Sequence, residues 1–125
     1  MLLNRGTIGG HRYLSERAMT FLTRPQTPAG MTTGFFQGDA YGNRGMNYEW
    51  GIATCILRTP HDGVAATLSP GTYGHGGAWG TQAWIDPVKG AAYILMVQRS
   101  NFPNSDGSEV RGAFQQAAVA ALARK

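Results

Sequence analysis

The apolar positions along the chain change spacing several times, and each change predicts an element. Residues 14–22 read as a short helix, with Ser15 placed to cap the first turn and Leu14 placed to pack on Met19 as a hydrophobic staple. Pro25 ends it, because the residue before a proline is pushed out of the helical region. Residues 25–47 then hold glycines and prolines, no helical period and few strand formers, so the pattern predicts a long irregular segment. Segments of that length are uncommon inside compact domains and tend to be functional or to lean on something else.

From Tyr48 the chain becomes strand-like. Residues 50–57 are apolar on both alternate sets and stop at the turn sequence Pro60-His61-Asp62-Gly63, predicting one strand with two buried faces. Further strands are expected at 72–76 and 81–85. Asp86-Pro87-Val88-Lys89-Gly90 has the residues of a hairpin turn, and the returning strand at 91–97 is apolar throughout, as in a central strand covered on both faces. At the C-terminus Asp106 is placed to cap and Glu109 to complete a capping box. Val110, Phe114, Ala117, Ala118, Ala121 and Leu122 follow at helical spacing, with Arg124 and Lys125 at the helix's negative end. Helix, irregular stretch, strands and helix together predict an α+β arrangement, an antiparallel sheet with the C-terminal helix packed on it. The chain is expected to form a single segment, 1–47 contributing the helix and irregular part and 48–125 the sheet and C-terminal helix.

Composition narrows this picture. The 125 residues fit one ordinary domain, and 42% hydrophobic with 14% charged, against about 25% charged in typical domains, excludes disorder and a coiled coil. Eighteen glycines, twice the usual share of about 7%, cluster between short apolar runs and predict tight turns and close backbone approach. Net charge is +4, carried by arginines spread singly from Arg5 to Arg124, without the basic stripe that a nucleic-acid partner would need. Cys55 has no internal disulfide partner and lies in an apolar strand, where burial raises a thiol's pKa, so it is expected in the core and not as a nucleophile. The first residues carry no apolar signal-peptide region, and no apolar run reaches the roughly 18–20 residues of a membrane span. The compartment stays open.

The segment Tyr73-Gly74-His75-Gly76-Gly77-Ala78-Trp79-Gly80-Thr81-Gln82-Ala83-Trp84-Ile85-Asp86-Pro87 carries the chemistry. It resembles the third motif of the serine β-lactamase and penicillin-binding-protein-like hydrolases, in the His-x-Gly form found among esterase and peptidase relatives in place of Lys-Thr-Gly. The apolar strand up to Gln98, the opening Met1-Leu2-Leu3-Asn4-Arg5-Gly6 and Arg12-Tyr13-Leu14-Ser15 resemble the same family. The resemblance implies a partial β-lactamase or transpeptidase-like fold, hydrolysis of a small-molecule ester, amide or β-lactam through an acyl-enzyme, and no cofactor. It implies that Gly76 and Gly77 line the cleft, where the lack of side chains exposes backbone polar groups to a ligand. The Ala78 amide would supply one oxyanion-hole donor, the kind of group whose loss costs about 2.7–4 kcal/mol of transition-state stabilisation. His75, in the lysine's place, would orient the nucleophile's hydroxyl network or a polar group of the substrate; it reads equally well as a structural histidine bonded to backbone. Trp79 would form an aromatic rim for an acyl or aryl group.

The family's nucleophile sits in Ser-x-x-Lys, and this sequence has none: three places after Ser15, Ser69, Ser100, Ser105 and Ser108 stand Ala18, Thr72, Pro103, Ser108 and Arg111. Tyr41-Gly42-Asn43 matches the family's Tyr-x-Asn formally, but it falls after the Leu14-Ser15 helix instead of before it and reads as coincidence. The resemblance therefore implies the C-terminal part of a longer hydrolase, inactive alone, whose strand 91–97 is left with an open edge inviting self-association or pairing with the missing N-terminal part. The alternative is a non-catalytic binding or assembly module whose glycine-rich edge accepts a peptide strand. Other chemistries find less support. His-Gly-Gly in the oxyanion loop of an α/β-hydrolase would need a Gly-x-Ser-x-Gly downstream, which is missing. His11, His61 and His75 lack metal-ligand spacing, and the glycines fit neither dinucleotide nor P-loop patterns.

Overall fold

A computed structural model describes residues 1–28, 48–60, 66–101 and 108–124. The chain opens on a tight hairpin, β1 (Thr7–Ile8) and β2 (His11–Arg12), joined by Gly9-Gly10. Helix α1 (Glu16–Thr23) follows, and its start is the expected one: Ser15 is extended and its hydroxyl accepts the Ala18 amide at 3.1 Å. The helix ends at Arg24, whose ψ of 149° is extended, directly before Pro25. The next residues are stitched to the strands beyond. Gln26 N–H donates to the Trp50 carbonyl at 2.6 Å, the Trp50 amide donates to Thr27 Oγ1 at 3.2 Å, and the Ile52 amide donates to the Leu22 carbonyl at 3.2 Å.

Five antiparallel strands form a meander in chain order: β3 (Tyr48–Trp50), β4 (Cys55–Leu57), β5 (Tyr73–Gly76), β6 (Gln82–Asp86) and β7 (Ala91–Leu95). The single strand expected at 50–57 is instead the corner of a hairpin. Trp50 pairs with Cys55, the Gly51 amide donates to the Thr54 carbonyl at 2.8 Å, and Ala53 takes a left-handed φ of 56°. The hydrogen bond from Ile52 to α1 holds this corner, leaving Ile52 exposed and Cys55 fully buried. The turn after β6 is as expected, with Gly90 at φ 62°.

Trp84 anchors the core. It is buried with Tyr48, Cys55, Leu57, Leu68, Ala91 and Tyr93, and Trp50, Phe114, Ala118 and Val119 pack around them. Its indole N–H donates to Gln82 Oε1 at 2.9 Å, and Gly74 stands opposite it on β5. A Cβ at Gly74 would overlap the Ala83 carbonyl and the Trp84 backbone, so only glycine lets β5 and β6 approach this closely.

Helix α2 (Glu109–Leu122) covers this face, with two differences from expectation. Its cap is Ser108, whose hydroxyl accepts the Arg111 amide at 3.2 Å; Asp106 lies outside the described residues. Its inward face is turned by one position, so that Arg111 and Gln115 are buried with Phe114, Ala118 and Val119 beside them, while Val110 and Ala117 are exposed. The reason is Arg111, whose guanidinium lies 4.7 Å from the centre of the Trp84 ring, a cation over an aromatic face. Strand β7 is the edge of the sheet among the described residues, as the resemblance implied, but it departs from the expectation of two covered faces: only Ala91 and Tyr93 are buried, and Ala92 and Ile94 face outward, Ile94 with 59% exposure. The other sheet face is covered at its β4–β5 end, where Ile56 and Tyr73 are buried and the Tyr73 hydroxyl donates to the Leu2 carbonyl at 3.2 Å.

Candidate functional site

The motif occupies the end of β5 and the turn into β6. His75 pairs with Ala83 and Gly76 with Gln82, after which the Gly77 amide donates to the Thr81 carbonyl at 2.7 Å and the Gly80 amide to the Gly77 carbonyl at 3.0 Å. Gly80, at φ 93°, closes the turn in a conformation that favours glycine. Ala78 and Trp79 are left at the exposed tip, Trp79 with 57% exposure. Among the described residues the Ala78 amide has no hydrogen-bond acceptor, whereas the Trp79 carbonyl accepts the Arg99 amide at 3.0 Å. A shallow groove of about 430 Å³ runs beside the tip, lined by Trp79, Thr81, Met96, Val97 and Gln98.

The β4–β5 ladder stops at Cys55 and Gly74, so β5 continues past its neighbour through His75 and Gly76. The indole of Trp50 reaches this extension. Its ring centre is 5.5 Å from that of His75, with the planes inclined by 32°, a tilted stack. His75 is exposed, and its Nδ1 donates to the Gly76 carbonyl. The five residues singled out from sequence, His75, Gly76, Gly77, Ala78 and Trp79, thus lie together on one strand end and turn. Gly76 and Gly77 also have reasons internal to the sheet: a Cβ at 76 would meet the Gln82 side-chain amide at 2.5 Å, and one at 77 would overlap the Thr81 hydroxyl. Tyr41-Gly42-Asn43 and His61 lie outside the described residues. Trp50 was not signalled by any local spacing, because it meets His75 only through the β3–β4 corner.

A second polar cluster sits at the opposite end of β6. The buried Asp86 carboxylate accepts the amides of Ser69 at 3.1 Å, Val88 at 3.0 Å and Lys89 at 2.9 Å, and the Lys89 ammonium at 3.2 Å. Burial alone would raise its pKa, but the hydrogen bonds from Lys89 and Ser69 outweigh burial and hold the carboxyl below its ordinary value. Lys89 Nζ also donates to Ser69 Oγ at 2.8 Å, so a serine and a lysine do meet in space. An ammonium already donating to that oxygen and paired with a carboxylate is no base for the serine, and Ser69 is buried. The cluster locks the β6–β7 turn onto the segment before β5. Two tyrosines are shifted as well: burial pushes Tyr73 up, opposed by the charge of Arg5, and burial followed by the Asp86 charge pushes Tyr93 up.

Among the described residues, no three His, Cys, Asp or Glu side chains gather, and no helix is long and apolar enough to cross a membrane. No individual curated protein matches the chain. The Beta-lactamase family model, in contrast, matches residues 1–118, from the opening turns through most of α2 and with the β5 motif inside it. A match of that extent covers the whole β3–β7 meander and both helices but for the last turn of α2, and on it the chain belongs to the Beta-lactamase family.

Proposed function

We propose that this chain is the C-terminal part of a β-lactamase-family serine hydrolase that cleaves an ester, amide or β-lactam through an acyl-enzyme. It supplies one wall of the cleft, and the serine and lysine come from residues outside this sequence. The observation that carries this reading is the exposed tip at Ala78, where a backbone amide that has no acceptor among the described residues follows His75-Gly76-Gly77 in a chain of this family. Such an amide is the kind of donor that binds the oxyanion of a tetrahedral intermediate. His75 stands beside it as the polar group of the wall, and Trp79 with its groove offers an apolar surface to the acyl or leaving group.

The isolated chain is expected to turn over neither a chromogenic ester nor a cephalosporin, and to take up no serine-directed phosphonate. Stoichiometric labelling at any of its five serines would overturn the claim that the nucleophile lies elsewhere. Coding sequence immediately upstream is expected to contain Ser-x-x-Lys and Tyr-x-Asn. An unrelated gene there would favour the second reading, a binding module whose glycine edge accepts a partner strand.

The side of β7 that has no neighbouring strand among the described residues belongs to the same proposal. Its residues, Ala91 to Leu95, carry no charge and no proline, Ile94 is exposed, and Met96 just beyond is 80% exposed. The edge is expected to pair with the N-terminal part or, in the isolated chain, with a second copy. Sedimentation of the isolated chain should show association that Ile94→Lys abolishes; a monomer with a sharp melt would remove this part of the reading.

A further inference from the structure

The face of the sheet turned away from α2 carries a small pocket of about 130 Å³, and none of the five candidate site residues lines it. Its walls come from three parts of the chain: Leu2 and Leu3 of the opening turn, Met19 of α1, and Ile85 and Pro87 at the end of β6 and just beyond it. Met19 and Tyr73 are buried and form the floor, whereas Arg5 and Pro87 are exposed at the rim.

The hydroxyl groups of the wall are already engaged. Tyr73 donates to the Leu2 carbonyl at 3.2 Å, and Thr23 donates to the Met19 carbonyl at 2.9 Å. Arg5 is different. Among the described residues its guanidinium has no hydrogen-bond or ion-pair partner, and its charge is felt at Tyr73, where burial raises the pKa and Arg5 opposes the rise. Among the described residues no aspartate or glutamate lines the pocket. Asp86, between Ile85 and Pro87, is turned to the other side of the sheet and is bonded to Lys89.

These properties select a ligand. A polyol would find the wall hydroxyls already spent, and a phosphate would meet one cation where its charge calls for several. A carboxylate matches a single guanidinium through two parallel hydrogen bonds, and an apolar tail behind it would displace water from Leu2, Leu3, Met19 and Ile85. An apolar cavity of about 150 Å³ holds benzene, so one of about 130 Å³ takes a tail of roughly four or five carbons. We propose that this pocket is a binding site for a short-chain monocarboxylic acid, with the carboxylate on Arg5 and the tail against Met19 and Tyr73. The ligand touches the opening turn, α1 and the sheet together, so occupancy pins the first residues of the chain to β5 and β6. The site is independent of the hydrolase reading.

The test titrates the full chain, labelled with ¹⁵N, with butyrate and follows its amide resonances. Saturable shifts are expected at Leu3, Arg5 and Gly71 with a Kd of about 1–10 mM, and none at the Trp84 indole, which lies on the other face. Acetate is expected to bind at least threefold more weakly, and butanol and inorganic phosphate at least tenfold more weakly. Arg5→Asn removes the charge and suits the left-handed φ of 48° at this position, so it tests the cation without burdening the turn. It should weaken butyrate at least tenfold, with Arg5→Lys between it and the wild type. Unaltered butyrate binding by Arg5→Asn, equal binding of butanol, or shifts that neither saturate nor centre on the pocket overturn the proposal. Should Arg5→Asn lose the Trp84 indole signal and so prove unfolded, the comparison of butyrate with butanol and phosphate on the wild-type chain decides. At ten times the Kd, mass action moves the folding equilibrium about elevenfold toward the native state. The urea midpoint should rise accordingly with butyrate and not with butanol, and an unmoved midpoint would also refute the site.

Discussion

Strand β6 ends in two turns of opposite character. At one end the Asp86 carboxylate is buried and takes hydrogen bonds from three amides and an ammonium. At the other end the tip of the turn, Ala78 and Trp79, is exposed, and among the described residues the Ala78 amide has no acceptor. The contrast separates polar groups spent on holding the molecule together from those still able to bind something else. A buried polar group must be satisfied internally, whereas one that water can reach is free to be taken over by a ligand.

The sharpest way to break the comparison is Asp86→Ala. It leaves Lys89 and three amides without their acceptor, and is expected to cost about 3–5 kcal/mol in urea unfolding; a cost under about 1 kcal/mol would refute the structural role given to that end. Acid should act on the same group. Because the folded carboxyl titrates below its unfolded value, its contribution is complete above the ordinary carboxylate range and is lost as pH falls through the lower folded pKa. The urea midpoint should therefore drop below about pH 4, and Asp86→Asn should flatten that dependence. Gly76→Ala, at the motif end, meets the tip of the flexible Gln82 side chain, so about 1–2 kcal/mol is expected, with movement of the Trp84 indole resonance through its bond to Gln82. Trp79→Ala should change stability by no more than about 0.5 kcal/mol, since the ring is mostly exposed. A larger loss would place Trp79 with the structural groups.

What the sequence disclosed followed the range of the forces involved. Ser15, Pro25 and Asp86-Pro87-Val88-Lys89-Gly90 act on their immediate neighbours, and each does in the structure what its local chemistry predicts. The β3–β4 corner was hidden because it turns at Ala53, with no Asn-Gly or Pro-Gly pair to announce it, and is held by Leu22 from another element. Uniform apolarity along β7 could not tell one buried face from two. The inward face of α2 was misplaced because Arg111 and Gln115, polar in any hydropathy pattern, are buried, Arg111 against Trp84. At the candidate site, adjacency in sequence made His75 to Trp79 visible as a group. Trp50 joins them from 25 positions away, a distance that no spacing rule spans.

The bond from the Tyr73 hydroxyl to the Leu2 carbonyl joins residues 71 positions apart, while every pairing in the β3–β7 meander joins neighbours in strand order. Hairpins close small loops cheaply, but docking the chain's first residues requires a much longer loop to close. Contact order therefore gives an expectation for folding: the meander is expected to assemble from successive local closures before the N-terminal turns latch onto β5 from the far face. The strand that carries the motif would then gain its last contact from the first residues of the chain.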